Sequence, residues 1–563
     1  MSYTLFIFVV CIFTTSGSSV QYDKQTQNLR TFPSDFFFGT ATSAYQIEGA
    51  WNEGGKGWSM WDHLVRTDPG HIRDGTTGDV AANSYHFYKK DIEILKELGV
   101  SVYRFSIAWT RILPYGRADY VNPEGVAYYN NLINELLAND ITPFVTIYHW
   151  DLPQNLNEQG GWLTSEIADW FGDYSRVLFE NFGDRVKHWI TINEPYIHCN
   201  FGYATGSHAP RIKSPGVGFY ECGRNIILAN AKAWHIYDKE FRATQGGVIG
   251  ITLDSEMAMP GSNSPDDIQG AADYMSFYLG QYADPIFSAT GNYPQRMIDL
   301  VAEASRQQGL NESRLVPFTQ EEANNNKGTS DFFGLNHYSS IYVYRNSSVT
   351  EIYTKPSFND DLQVGTFPDA NWYINPAGWT YGLNVANCNF TQLLRITVFP
   401  YKIQESIKFK ESLFQRYGQG LRKLLGYIKD TYNNPTVYIT ESGFGTATER
   451  NDTDRADYYR EYLNGVLDAI DDGVNVKGYC AWSLVDNFEW AVGYSVRFGL
   501  YEIDQNDPEK TRKPKYSALV YKEIVRTRTV DPSYNPDLPT DASINIKSSY
   551  LFVLVVAVLN IIW

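Results

Sequence analysis

The chain is short of cysteine, of methionine and of basic charge: 5 Cys, 6 Met, and 47 Lys and Arg against 64 Asp and Glu in 563 residues. Each shortage excludes something. Five cysteines without a Cys-x2-Cys spacing exclude a zinc ribbon and a small disulfide-framed domain, so no metal or other cofactor is expected. A net charge of −17 argues against a nucleic-acid partner and against a basic membrane-binding face, and suits a small neutral ligand. No apolar run reaches the roughly 20 residues that span a bilayer. There is no internal repeat, basic tail or low-complexity linker. What is abundant is apolar and aromatic: 43% hydrophobic residues, with 14 Trp and 41 Tyr. That is ample for a large core. Flat amphipathic rings also line sugar clefts, although core packing is their commoner use.

The two ends differ from the rest. Leu5–Phe13 reads LFIFVVCIF and runs into the small residues Thr14–Ser19, so residues 1–19 are expected to be a secretory signal peptide and the product extracellular. The sequons at Asn311, Asn346, Asn389 and Asn451 then become candidate glycan sites. Cys11 leaves with the leader, Cys199 and Cys222 become a candidate disulfide, and Cys480 is expected as a buried free thiol. Residues 530–549 read as a polar linker. Tyr550–Trp563 is apolar except for Asn560 and follows Asp541-Ala542-Ser543 and a polar spacer. This tail is expected to act as a GPI-attachment signal and anchor the protein to a membrane; the alternatives are a tail docked on the barrel or an interfacial helix.

Between the ends the chain is organised around Thr436–Gly443, TVYITESG, a β-branched apolar run bounded by Pro435 and Gly443 and carrying Glu441 at its tip. Seven further strand candidates resemble it: Phe36–Tyr45, Val102–Trp109, Thr142–Trp150, His188–Pro195, Val248–Ser255, Asp331–Ser339 and Gly478–Asn487. Stretches of helical periodicity separate most of them, such as Tyr85–Leu98 and Val126–Leu137. Eight alternating units predict one α/β domain, a single (β/α)8 TIM barrel over about 30–529.

In such a barrel the C-terminal strand ends share one face. They carry Gln46, Arg104 and Trp109, His149-Trp150, Asn193-Glu194, Asn336 and Tyr338, Glu441, and Trp482 with Glu489-Trp490 just beyond. Singly each has a plainer reading: His149 as a core histidine, Trp482 as packing, Glu441 as a solvated loop residue. Jointly, amides, carboxylates and indoles describe a sugar site. Two carboxylates, Glu194 and Glu441, fit the retaining glycosidase mechanism, in which one attacks the anomeric carbon and the other protonates the departing oxygen. Arg104 and Tyr338 would hold Glu441 ionised; less polar surroundings and repulsion from Glu441 would keep a proton on Glu194.

FFFGTATSAYQIEGA, TINEP, DFFGLNHYS, VYITESG and WSLVDNFEW, in this order between Phe32 and Val525, together resemble glycoside hydrolase family 1, the β-glucosidase family, in a secreted animal-type form. The resemblance implies a (β/α)8 barrel with Glu194 as acid/base and Glu441 as nucleophile. It implies that Gln46, His149, Asn193, Glu489 and Trp490 bind glycone hydroxyls. Trp482 and Phe498 match the aromatic floor, and Arg104, Asn336 and Tyr338 the nucleophile's surroundings, with Tyr338 also facing substrate. Gly493–Gly499 lacks the Ser/Lys/Tyr phosphate motif and is similar to the branch acting on unphosphorylated sugars.

Four departures stand out. Ser442 follows the nucleophile where Asn is usual, residues 385–411 look inserted, Leu413 replaces a Trp of the aglycone wall, and Gly418 replaces a Pro. The expected function is an exo-acting retaining β-glycosidase on a small-molecule β-glucoside or oligosaccharide, with galactosides and fucosides as further substrates. A thioglucosidase is the neighbouring alternative. A non-catalytic surface receptor is the alternative of another class, against which both Glu residues stand. Oligomeric state is left open.

Overall fold

Parallel strands buried on both faces need unbroken apolar, β-branched runs, and eight such runs build the centre of this molecule. The computed structural model describes residues 29–346, 356–367, 408–446 and 450–539. The strands are β1 (Phe37–Ala41), β2 (Val102–Ser106), β3 (Thr142–Tyr148), β4 (His188–Asn193), β5 (Val248–Asp254), β6 (Phe333–Asn336), β7 (Val437–Ser442) and β8 (Val476–Trp482). Each pairs in parallel with its neighbours in chain order, and β1 pairs with β8 to close the barrel. All eight fall within or next to the expected stretches, and the (β/α)8 fold follows.

Several strands are shorter than the sequence suggests. β1 stops at Ala41, and Gln46 lies on a helical turn, Ala44–Ile47. β2 stops at Ser106, and Trp109 opens the turn Trp109–Ile112. Trp109 is not part of the site: it is fully buried and stacks on Tyr174 at 4.5 Å. The helices expected at 85–98 and 126–137 are Ser84–Leu98 and Pro123–Ala138. The second begins where Asn122 accepts from the Glu124 N–H and Pro123 takes the first helical position. The first ends on Gly99 at φ 75°.

Inside the barrel the side chains form layers. The lowest is aromatic: Phe37, Phe144, Phe332 and Tyr438 pack at ring-centroid distances of 5.1–6.3 Å and close the bottom. The next layer up is polar, with Arg104, Thr146, Thr252 and Thr440. This is the change from packed core to site. Two elements were not expected: a three-stranded sheet of Met257–Pro260, Ser340–Arg345 and Val364–Phe367, and a pair formed by Tyr501–Ile503 and Arg512–Pro514. The expected signal peptide, residues 385–407 of the expected 385–411 insertion, Asn389, the Leu413 side chain and the C-terminal tail lie outside the described residues. No helix among the described residues is long and apolar enough to cross a membrane.

Candidate active site

Register shifts aim the two carboxylates. Pairing of β4 with β5 slips between Ile190 and Asn193, and pairing of β7 with β6 slips between Ile439 and Glu441. Such bulges turn side chains out of the sheet's alternation. Glu194 then takes the left-handed conformation, φ 47° and ψ 67°, its N–H bonded to the Thr252 carbonyl at 3.0 Å. Pro195 disfavours right-handed helix at Glu194 and starts the helix Pro195–Cys199. Gly443 is required after Glu441-Ser442, because a Cβ there would sit 2.1 Å from the Trp482 carbonyl oxygen.

Arg104 rises from β2 and is wholly buried. Its Nη1 pairs with Glu441 Oε1 and donates to the Thr440 carbonyl at 3.1 Å; Nη2 donates to Asn193 Oδ1 at 2.6 Å and Nε to Thr146 Oγ1 at 3.1 Å. A buried guanidinium is tolerable only when paired and hydrogen-bonded, as Arg104 is through all three of its nitrogens. The Tyr338 hydroxyl donates to the other oxygen of Glu441 at 2.6 Å. Glu441 is therefore held as an acceptor of two strong bonds.

Glu194 is in the opposite situation. Burial pushes its carboxyl well above the ordinary range, and the charges of Glu441 and Asp254 push it further. Asn336 Nδ2, donating to Oε1 at 2.7 Å, and Arg104 offset only part of this. Thr440 Oγ1 fixes the amide by donating to Asn336 Oδ1 at 2.7 Å. One carboxylate is held by a cation and a phenol, and the other is pushed by burial towards its protonated form. Acid and nucleophile chemistry near neutrality needs that division.

The remaining candidates form a polar and aromatic wall. Gln46 donates to Asn487 at 2.9 Å and to Glu489 at 3.3 Å, while its own carbonyl accepts from Ser43. The free oxygen of Glu489 has no partner among the described residues, and burial and then Glu441 push its carboxyl up to about 8. His149 is held neutral by burial and by Arg104. The Asn193 amide lies 3.1 Å from His149 Nε2 and donates to it, which leaves Nδ1 as the protonated nitrogen without a described partner. His149 stacks between Trp482 and Trp490, each 6.0 Å away by ring centroid. Trp490 packs on Trp61 and Trp150 at 4.9 Å, and Phe498 meets Tyr338 edge-on at 6.1 Å.

Apart from Trp109, the sequence-chosen sugar-site residues lie together on this one rim. Sequence reasoning missed Thr146, Thr440, Asn487, Ser43 and Asp254. The two threonines lie inside their strands, Thr146 three residues before His149 and Thr440 immediately before Glu441, and show only as inward positions of β3 and β7. Elsewhere, Cys199 and Cys222 are bridged, with Cα atoms 5.7 Å apart. Cys480 is a buried free thiol. Asn311 and Asn451 are exposed and Asn346 is half-buried. Ser442 bonds Tyr458 OH at 2.9 Å. No cluster of three or more metal-ligating side chains occurs among the described residues.

A closed parallel barrel with two differently held carboxylates over an aromatic floor defines a barrel glycoside hydrolase. The profile of Glycosyl hydrolase family 1 matches residues 28–530. Myrosinase 1 of Brevicoryne brassicae is 43% identical over 88% of this chain and 98% of its own length. The cytosolic beta-glucosidase of Homo sapiens is 39% identical over 89% and 99%. The solved structure of an aphid myrosinase superposes with a TM-score of 0.78 at 42% identity, covering 89% of this chain and all of that one. The chain belongs to glycosyl hydrolase family 1 and is an O-glycoside hydrolase.

Proposed function

We propose that the protein is a retaining exo-β-glycosidase acting on terminal β-D-glucosyl residues of small-molecule glycosides. The observation that carries this reading is the unequal treatment of the carboxylates: Glu441 bonded by Arg104 and Tyr338, Glu194 kept protonated by burial. Glu441 attacks the anomeric carbon while Glu194 gives its proton to the leaving oxygen. A covalent glycosyl-enzyme forms, and Glu194, now ionised, takes a proton from the water that releases the sugar. Neutral His149, Gln46, Asn193, Glu489 and Trp490 hold the glycone hydroxyls over Trp482 and Phe498. Gln46 and Glu489 offer partners to an equatorial or an axial 4-hydroxyl, so galactosides and fucosides are accepted beside glucosides.

Hydrolysis of p-nitrophenyl β-glucoside tests the reading. Glu441→Ala removes turnover, and azide or formate restores it with inverted stereochemistry. Glu194→Ala spares substrates whose leaving group needs little protonation. Wild-type rates in Glu441→Ala would make the assignment wrong. A second reading, thioglucosidase activity, is favoured by the identity to Myrosinase 1. A thiolate leaves with little proton assistance, so Glu194→Gln would retain the first, thiolate-releasing step on a thioglucoside while losing that step on unactivated O-glucosides, and the second step, which uses Glu194 as base, would slow on both. Parallel assays on an alkyl glucoside and its thio analogue separate the two.

We also infer that the enzyme works in an oxidising, extracytoplasmic compartment. The Cys199–Cys222 bridge and the exposed sequons at Asn311 and Asn451 support this; the cytosolic beta-glucosidase relative is a precedent against it. Anchorage through a GPI group belongs to the same proposal. Release from cells by phosphatidylinositol-specific phospholipase supports it, and recovery of residues 550–563 in the mature protein contradicts it.

A further inference from the structure

The end of the fifth strand adjoins the acid/base, and the mechanism above assigns it nothing. Asp254 closes β5 in register with Asn336, whose amide holds the Glu194 carboxyl. Two residues earlier, the Thr252 carbonyl accepts the Glu194 N–H. The groups that fix Glu194 therefore bracket Asp254 on both sides. Its Oδ1 is buried and has no hydrogen-bond partner among the described residues.

The groups that face it are all acids. Glu194 approaches from the end of β4 and Glu441 from β7. Glu256, two residues on, accepts from Tyr274 at 2.7 Å and Ser339 at 2.9 Å. The phenols of Tyr196, Tyr278 and Tyr282 come from the surrounding helices, and each is disfavoured from ionising by Asp254. Ionised together, these carboxyls would put several like charges on one enclosed wall. They must share protons and titrate as a group.

We propose that Asp254 is a positioning residue for the acid step: its carboxylate, once ionised, retains the proton on Glu194 by like-charge repulsion and so sets the upper pH limit of the reaction. Burial pushes Asp254 itself up to about 7, with Glu256 and Glu441 adding to it and the N–H groups of Asp254 and Ile197 offsetting part. Asp254 therefore gains its charge towards neutral pH, and that charge adds to the burial and the Glu441 charge that push the Glu194 carboxyl up. The sign follows. Removing the charge eases loss of the Glu194 proton and moves the alkaline limb to lower pH, while the acid limb stays.

This rests on the proposed role of Glu194, and the experiment separates the two. The pH dependence of kcat/KM on an aryl β-glucoside is measured for wild type, Asp254→Asn, Asp254→Ser, Asp254→Glu and Glu194→Gln. Both neutral variants are expected to lower the alkaline apparent pKa by about one unit with the acid limb in place. Asp254→Glu should restore the limb towards wild type, and Glu194→Gln should lack it. An alkaline limb retained in Glu194→Gln contradicts the acid/base assignment and this proposal with it. A limb lost in Glu194→Gln but unmoved in the Asp254→Asn and Asp254→Ser variants contradicts the proposal alone. So does an equal loss of rate at every pH, the mark of a purely structural aspartate.

Discussion

Arg104 has no exposure to solvent, so its charge depends entirely on Glu441, Asn193, Thr146 and the Thr440 carbonyl. Arg104→Met would leave Glu441 buried beside Tyr338 alone. Breaking one side of a buried pair costs about 3–5 kcal/mol, so the variant should unfold at markedly lower denaturant and lose turnover together. Wild-type stability would show that the pair is not the support described. Glu489 makes a different prediction. Its unpartnered oxygen faces the glycone wall, and Glu489→Ala should reduce kcat/KM for glucosides by several kcal/mol if a desolvated sugar hydroxyl binds there. Unchanged kcat/KM would exclude the contact. At this scale the sequence is informative about residues whose chemistry is unusual for a strand end, such as Glu194, His149 and Trp490. Thr146, Thr440 and Asp254 are ordinary in composition and acquire meaning only through what the closed barrel sets beside them.

The strands themselves were legible because burial on both faces demands continuous apolar runs, and that pattern is local. Their ends were not. Ala41 and Ser106 end strands whose apolar character continues into helical turns, and nothing local marks the change. The register shifts before Asn193 and Glu441 depend on neighbouring strands and are equally invisible. The helix-to-helix contact beside β7 is another tertiary fact. Helix Lys408–Thr431 crosses helix Thr453–Asp471 with Gly418 against Gly465, and a Cβ on Gly465 would lie 2.2 Å from the Gly418 carbonyl oxygen. That approach gives Gly418 a packing role at a position where the family commonly has Pro. Gly465→Ala should destabilise by about 1–3 kcal/mol through overpacking, read from urea midpoints at constant slope. A neutral effect would mean that the two helices are free to separate.

For the whole molecule, the buried titratable groups set a direction of stability with pH. Burial pushes Asp151 and Asp254 up to about 7, Glu489 to about 8 and Glu461 to about 9. A carboxyl raised on folding contributes stability that is fully present below its unfolded pKa and is lost as pH rises through its folded one. Buried His198 and His208, held down to about 3, act oppositely, but their term is complete above the unfolded value of about 6.5. Between about pH 6.5 and 9 the carboxyls still titrating, Glu489 and Glu461 foremost, each give up to about 1.4 kcal/mol per unit against the opposing Lys510 and Lys515, which burial pushes down, and Tm should fall across that range. A flat or rising Tm would contradict the burial described. The Cys199–Cys222 bridge ties the helix that starts at Glu194 to helix Gly218–Ile236. Closing 23 residues is worth about 3 kcal/mol, and the Cys199→Ser, Cys222→Ser double variant should lose about that much. The central claim is that this barrel turns over through a glycosyl ester on Glu441. A 2-deoxy-2-fluoro-β-glucoside with a good leaving group slows release more than formation and traps such an ester. Peptide mass spectrometry of the trapped enzyme should find one added fluoroglucosyl group on the peptide holding Glu441, and none in Glu441→Gln. A label on any other residue, or stoichiometric burst release without a label, would contradict the account.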